Sequence, residues 1–161
     1  MIDSVSAANV SSAERFTRIG IAADGEAASR VREEFGHWLD AHFALDPVRS
    51  SDLVLATNEA LANAAEFAYA SADRPGTMDV EADFDAQAGV LTVTIADQGT
   101  WRDRTTVPPS KARGRGIPLM QALADSTSID RSEGGTRVLL QWTGVAALDE
   151  ALDQESQPGA P

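Results

Sequence analysis

The alternation of apolar and polar positions predicts a strand and then two helices in the first half of the chain. Residues 16–23 (FTRIGIAA) alternate with the period of two that is typical of a strand. From about residue 25 to residue 43 the period becomes helical, with one face made of Val31, Phe35, Trp38, Leu39 and His42. Asp46 and Pro47 then open a second helix as its cap and first residue, and an alanine-rich stretch continues it to about residue 70.

In the second half of the chain the same pattern predicts four strands and one further helix. Residues 77–84 and 90–96 alternate as an antiparallel hairpin whose connection ends at Gly89. Residues 97–115 are rich in Gly, Pro, Ser and Arg and predict a long loop. A helix is expected over 117–124, and strands near 128–131 and 137–142. This order predicts an α/β two-layer sandwich with its helices on one face of a mixed, mainly antiparallel sheet.

Length and composition fit a single domain that folds without covalent supports. The chain has 161 residues, of which 43% are hydrophobic and 24% are charged, close to the averages of globular proteins. Because cysteine is absent, disulfides, thiolate metal sites and a cysteine nucleophile are excluded. We expect a flexible N-terminal arm over 1–13, one folded domain over 14–148, and a disordered acidic tail over 149–161.

The charge of the chain argues against nucleic acid and membranes as direct partners. Its net charge is −12, from 25 acidic and 13 basic residues, and such a field repels polyanions. No apolar run approaches the roughly 20 residues that span a bilayer, and the N-terminus lacks the pattern of a signal peptide. The sequence therefore predicts a cytoplasmic protein, and its acidity fits either a basic partner or simple solubility.

The second predicted helix carries a carboxylate and an amide on one face. Glu59 and Asn63 are four residues apart, so their side chains lie one above the other. Such a pair is suited to supply a general base and an oxygen ligand for a hard cation such as Mg²⁺. Taken alone, the same spacing also describes an ordinary solvated stripe.

Two further segments place chemistry at the ends of predicted elements. Asp97 ends a strand two residues before Gly99, where a carboxylate can accept a hydrogen bond from an exocyclic amine; a tight turn has the same sequence. Gly114-Arg115-Gly116 precedes the third predicted helix. Glycines at a helix start leave backbone N–H groups open to an anion, and Arg113 or Arg115 adds charge, although a flexible hinge also fits this pattern.

In their order and spacing these segments resemble the N, G1 and G2 boxes of the Bergerat-type ATP-binding fold, which gyrase, Hsp90, histidine kinases and the anti-sigma-factor serine kinases share. The resemblance is greatest to the last group. Residues 55–64 (LATNEALANA) resemble its N box, written E-A-x-x-N-A, and residues 114–125 (GRGIPLMQALAD) resemble its G2 box. Gly134-Gly135-Thr136 resembles the terminal glycine-threonine box, so the likeness extends from about residue 16 to residue 142.

The resemblance implies a role for each matching residue. Glu59 matches the proposed general base, Asn63 the magnesium ligand, and Asp97 the aspartate that recognises the adenine amine. The remaining implied ATP-binding residues are Gly99, Arg113, Gly114, Arg115, Gly116, Ile117 and Thr136. The implied cofactors are ATP and Mg²⁺. The implied activity is that of a serine/threonine kinase that phosphorylates an anti-sigma-factor antagonist of the STAS type, sequesters a sigma factor and forms a homodimer.

The chain departs from the family pattern at two places. Trp101 stands where G1 normally has its second glycine, and a tryptophan does not supply the same backbone freedom. Phe67 and Ala68 stand where the family often has histidine and glycine after the N box.

Three alternatives follow. The first is a nucleotide-binding anti-sigma module without productive turnover, which Trp101 supports. The second is a detached histidine-kinase catalytic domain, although His37 and His42 are expected to be a surface residue and a partly buried residue, not phosphoacceptors. The third is an α/β interaction domain whose motifs are accidental.

Overall fold

A computed structural model describes residues 9–69, 76–97, 113–132 and 134–148. Within these ranges, three helices and eight strands follow one another. The strands are β1 (Asn9–Ser11), β2 (Arg15–Ala22), β3 (Phe43–Ala44), β4 (Thr77–Asp85), β5 (Val90–Asp97), β6 (Ser126–Ser132), β7 (Gly135–Trp142) and β8 (Ala146–Ala147). The helices are α1 (Gly25–His42), α2 (Pro47–Tyr69) and α3 (Arg113–Leu123).

The main sheet has six strands in the order β1-β2-β4-β5-β7-β6, and each neighbouring pair of these described strands is antiparallel. Along β5 the even positions are half-buried and the odd positions from Leu91 to Asp97 are buried. This alternation means that one face of the sheet packs beneath the helices and the other is open. The predicted two-layer α/β sandwich is confirmed.

Both predicted helix starts in the first half are confirmed by their caps. The Asp24 carboxylate accepts a hydrogen bond from the Ala27 N–H at 2.7 Å, and the Asp46 carboxylate accepts one from the Arg49 N–H at 2.7 Å. In each case an aspartate satisfies a backbone donor that the first turn of a helix leaves unpaired. Pro47, which follows the second cap, needs no such partner because it has no N–H.

The core lies between the sheet and the helices and is rich in aromatic side chains. Phe16, Phe35, Trp38, Phe43 and Phe84 form a chain of ring contacts with centroids 4.8–5.8 Å apart, at separations where aromatic pairs attract. The predicted core face of α1 is therefore confirmed. No helix within the described ranges is long and apolar enough to cross a membrane.

Near the N-terminus the chain differs from the predicted loose arm over 1–13, because Asn9–Ser11 form strand β1 against β2. Residues 9–11 (NVS) are too few to show the alternation of apolar and polar positions that marks a strand, so the sequence pattern could not reveal β1. Its position depends on contacts distant in sequence: the Trp38 indole N–H donates to the Ser12 carbonyl at 2.6 Å. The tail predicted over 149–161 lies outside the described residues.

The third helix begins at Arg113, four residues before the predicted start at Ile117. Gly114, Gly116 and an interior Pro118 all disfavour a helix, which is why the sequence placed the start later. Tertiary packing outweighs these local preferences, since Met120 and Ala124 are buried and Ile117 and Leu123 pack against the core. The glycine-rich segment is thus the first turn of α3 and not the loop before it.

Candidate functional site

Asp97 and Thr136 form a buried polar pair at one end of the sheet. They are partners across β5 and β7, and each side chain is 6% exposed. Their neighbours two residues along each strand, Ile95 and Val138, are core residues, so both polar side chains point to the face that the helices cover. A carboxylate and a hydroxyl are thus held side by side where the strand β5 ends.

Glu59 and Asn63 lie on one flank of α2. Both are half-buried, and their position on the helical wheel is beside the buried residues Ala56 and Ala60. Asn58 lies on the other flank, where it lines a shallow cavity of about 720 Å³ between α1 and α2. Since α1 and α3 both pack against α2, the flank that carries Glu59 and Asn63 is the one turned towards α3.

An ion pair fixes the direction of α3 relative to α2. Arg49, in the first turn of α2, contacts Asp125, two residues beyond the end of α3, at 3.0 Å. The start of α2 therefore lies beside the end of α3, and because the two helices also pack against each other, we infer that they run antiparallel. From Arg49 to Glu59, and from Leu123 back to Arg113, the axial distance is about 15 Å in each helix. Glu59 accordingly lies level with the first turn of α3, and Asn63 lies about one helical turn beyond it.

The sheet brings its polar pair to the same end. β6 begins at Ser126 opposite Gln141, so the Asp125 end of α3 lies over the Trp142 end of β7. Asp97 and Thr136 lie six residues away along β5 and β7, about 20 Å distant, which is close to the length of α3. From these lengths and directions we infer that the predicted N, G1, G2 and terminal boxes meet at one end of the sandwich, although they are far apart in sequence.

The first turn of α3 supplies the remaining predicted group. The N–H groups of the first three residues of a helix have no partner within that helix, and these belong here to Arg113, Gly114 and Arg115. The structure describes the helical backbone of these residues and of Gly116 and not their side chains. Ile117 is half-buried against the core. Gly99 and Trp101 lie outside the described residues, as do the side chains of Phe67 and Ala68.

The sequence interpretation matched Asp125 to the G2 box but missed its partners. One Asp125 oxygen accepts hydrogen bonds from the Thr143 N–H at 2.8 Å and from its hydroxyl at 3.2 Å, and Arg49 also donates to the Thr143 carbonyl. The carboxylate therefore ties the end of α3 to the start of α2 and to the turn after β7. No local pattern marks Arg49 or Thr143 for this task, because the contacts join residues 18 and 76 positions from Asp125.

Replacing Asp125 with asparagine is expected to lower the free energy of unfolding by about 1 kcal/mol at pH 7, a value reduced for the exposure of the ion pair. The pKa of Asp125 is lowered, mainly by the Thr143 N–H and then by Arg49. A lowered pKa means that this carboxylate stabilises the fold above its ordinary pKa of about 4 and ceases to do so as the pH falls through the lowered value. Urea unfolding of both proteins at pH 7 and below pH 4 measures the difference.

This difference in stability should shrink as the solution is acidified. Asp130→Asn is the matched control, because Asp130 is exposed on β6 and should change the stability by less than about 0.5 kcal/mol. A wild-type advantage over Asp125→Asn that persists unchanged below pH 4 would contradict the assignment.

One surface cavity lies apart from this site, and a second one borders its polar pair. The shallow cavity between α1 and α2 is on the opposite flank of α2 from Glu59 and Asn63. A second cavity of about 360 Å³ touches Asp97 and Thr136 but extends over Asp79, Asp130 and Arg137. These last three residues alternate with core positions and belong to the open face of the sheet, so the cavity is not the space between Asp97 and the helices.

The donor set fits magnesium and a nucleotide better than a metal held by protein alone. Within the described ranges, no group of three His, Asp or Glu side chains could hold a metal ion. Asn63 offers one amide oxygen, and Mg²⁺ is commonly bound by one or two protein ligands together with phosphate oxygens. The buried Asp97 acceptor, the open N–H groups of α3 and Asn63 suit a base, phosphates and a phosphate-bound cation respectively.

The two histidines lie where the sequence predicted. His37 is exposed on α1, and His42 is half-buried with its ring 6.2 Å from that of Trp38 and 6.5 Å from that of Phe43. Neither belongs to the site built by α2, α3 and β5.

Comparison with known proteins shows the family and the fold. Residues 21–142 match the family described as "Histidine kinase-like ATPase domain". Among solved structures, the chain is similar to "The crystal structure of the RsbU and RsbW domains of Rv1364c from Mycobacterium tuberculosis", with a TM-score of 0.62 and 25% identity over 81% of this chain and 32% of that one. The chain thus spans about a third of the length of that protein.

A second solved structure is the "Histidine kinase domain from Erythrobacter litoralis EL346 blue-light activated histidine kinase". Its TM-score is 0.45 at 20% identity, over 84% of this chain and 66% of that chain.

Proposed function

The chain belongs to the family of histidine kinase-like ATPase domains, and from that premise we propose that it is a serine/threonine kinase and anti-sigma factor. Its substrate would be an anti-sigma-factor antagonist of the STAS type, and its second partner a sigma factor, which it would sequester as a homodimer in the cytoplasm. The RsbW domain in the similar solved structure supports this proposal over the other members of the family.

The observation that carries the proposal is the convergence of four separate segments. The flank of α2 with Glu59 and Asn63, the first turn of α3 and the buried Asp97–Thr136 pair lie at one end of the sandwich. Accidental motifs have no reason to meet in space. The reading as an interaction domain with accidental motifs is therefore disfavoured.

Each group has a defined task in the proposed transfer. Asp97 would accept a hydrogen bond from the adenine amine, the α3 N–H groups would hold phosphate oxygens, and Asn63 would hold Mg²⁺. Bound magnesium would neutralise the charge that develops on the phosphates. Glu59 would accept the proton of the substrate hydroxyl while the oxygen of that hydroxyl bonds to the γ-phosphorus. The bond between that phosphorus and the bridging oxygen then breaks, and ADP leaves.

Transfer of labelled phosphate from γ-labelled ATP to a purified STAS-type antagonist tests the proposal. The expected product is a phosphoserine or phosphothreonine on the antagonist, which is stable in acid. An acid-labile label on a histidine would favour the histidine-kinase alternative.

A second candidate is a nucleotide-binding anti-sigma module without turnover, and the observation in its favour is Trp101 at the second glycine position of G1. This candidate predicts that the chain binds nucleotide and a sigma factor but transfers no phosphate. Restoring glycine at position 101 would then be expected to raise transfer, and an active wild-type chain would exclude the candidate.

A further inference from the structure

A third polar side chain extends the Asp97–Thr136 pair across the sheet. Thr136 on β7 lies between Asp97 on β5 and Arg131 on β6, as the partner of each. Ile129, two residues before Arg131, is the partner of the core residue Val138. Because side chains alternate along a strand, Arg131 points to the same face as Thr136 and Asp97.

The row therefore runs from a buried carboxylate, through a buried hydroxyl, to an exposed guanidinium on the edge strand. These groups differ in hydrogen-bonding capacity: the carboxylate only accepts, the hydroxyl does both, and the guanidinium only donates. Adenine presents an amine donor beside ring-nitrogen acceptors, whereas guanine presents an oxygen acceptor in place of the amine. An acceptor followed by a donor complements the amine and the adjoining ring nitrogen of adenine.

We propose that Arg131 is a nucleobase-binding residue, which donates a hydrogen bond to a ring nitrogen of adenine beside the amine that Asp97 accepts. This inference rests on the proposed function, since it assumes that adenine occupies the space above the row. It adds a residue that none of the matching sequence boxes contains.

Arg137 provides a matched control. It lies on β7 next to Thr136, pairs with Ala96 and Asp130, and points to the open face. Replacing either arginine with glutamine removes the same charge from the same end of the sheet. Only Arg131→Gln removes the charged guanidinium donor from the face of Asp97 and leaves the shorter, neutral amide of glutamine in its place.

Isothermal titration with ATP and with ADP, for wild type, Arg131→Gln and Arg137→Gln, tests the assignment. One hydrogen bond to a charged donor is worth about a 3- to 10-fold change in affinity after allowance for solvent exposure. Arg131→Gln should weaken ATP and ADP by the same factor in this range, and Arg137→Gln should bind both within about 1.5-fold of wild type. Unliganded thermal unfolding of each variant shows that it is folded.

Each of three outcomes would overturn the role of Arg131 and leave the proposed function standing. They are wild-type affinity in Arg131→Gln, an equal loss of affinity in Arg137→Gln, and a loss of affinity for ATP that is absent for ADP. The second outcome would indicate a general charge effect or a nucleotide on the open face, and the third a contact with the γ-phosphate. If wild type bound neither nucleotide, the proposed function itself would fail, and this inference with it.

Discussion

Replacing Glu59 with glutamine is expected to slow phosphoryl transfer by about 10²- to 10⁴-fold, the usual contribution of a general base. Glutamine has nearly the same shape and keeps the helix, but it cannot take the proton of the substrate hydroxyl. Glu59 is half-buried on the flank of α2 that faces α3. Asp52 lies on the same flank but about 10 Å earlier along the axis, so Glu59 is the carboxylate level with the first turn of α3. Single-turnover transfer to the antagonist at saturating ATP measures this step.

The affinity for MgATP should change by less than about 3-fold in the same variant, because Glu59 acts on the proton and not on the nucleotide. Glu33→Gln is the matched control, since Glu33 is an exposed carboxylate on α1; it should transfer phosphate at the wild-type rate. If Glu59→Gln kept the wild-type rate, Glu59 would not be the base. A parallel loss of affinity would mean instead that it contributes to binding.

Replacing Trp142 with alanine is expected to lower the free energy of unfolding by about 3–5 kcal/mol, the range for buried aromatic residues. Trp142 is fully buried at the end of β7, and its indole N–H donates to the Leu123 carbonyl at 3.0 Å. That carbonyl belongs to the last turn of α3, where it has no partner within the helix. The substitution therefore removes both core volume and the cap of α3, and urea unfolding measures the loss.

Trp142→Phe separates the two contributions. Phenylalanine keeps most of the apolar volume but leaves the Leu123 carbonyl without its donor, so a loss of about 1–2 kcal/mol is expected. Val48→Ala, at a side chain that is 72% exposed, should change the stability by less than about 0.5 kcal/mol. A loss below about 1 kcal/mol for Trp142→Ala would show that this side chain does not fasten α3 to the sheet.

Local patterns predicted those parts of the fold that local interactions determine. Asp24 and Asp46 cap α1 and α2 through hydrogen bonds to N–H groups three residues away, so the sequence alone contains both starts. The hairpin of β4 and β5 was likewise predicted from the glycine in its connection. In the structure Gly89 adopts a φ of +68°, a conformation that favours glycine. At this position the Val145 carbonyl would also be only 3.2 Å from an added Cβ.

The errors lie where tertiary contacts override local preference. The first turn of α3 has two glycines and is followed by Pro118, yet burial of Met120 holds the helix in place. Strand β1 depends on pairing with β2 and on the Trp38 indole. Neither the burial of Met120 nor the contacts of β1 can be predicted from the neighbouring sequence.

The candidate site was predicted as a set of residues, and the structure adds how they meet. Glu59 and Asn63 were paired by helical spacing, but their direction towards α3 follows only from the Arg49–Asp125 contact. Asp97 and Thr136 were named as separate motifs, and the register of β5 and β7 makes them neighbours. Arg131 lacked any sequence signal, since it becomes relevant only through its pairing with Thr136.

The most direct test of the central claim is thermal unfolding with and without MgATP, for wild type, Asn63→Ala, Asp97→Asn and Asn58→Ala. Nucleotide at about a hundred times its dissociation constant adds roughly 2.7 kcal/mol, which corresponds to a rise of about 5–10 °C in Tm for a chain of this size. We predict this rise for wild type and for Asn58→Ala, whose asparagine lies on the opposite flank of α2. We predict little or none for Asn63→Ala and Asp97→Asn. Absence of any rise in wild type, or equal losses at Asn58 and Asn63, would contradict a nucleotide site between α2, α3 and the end of β5.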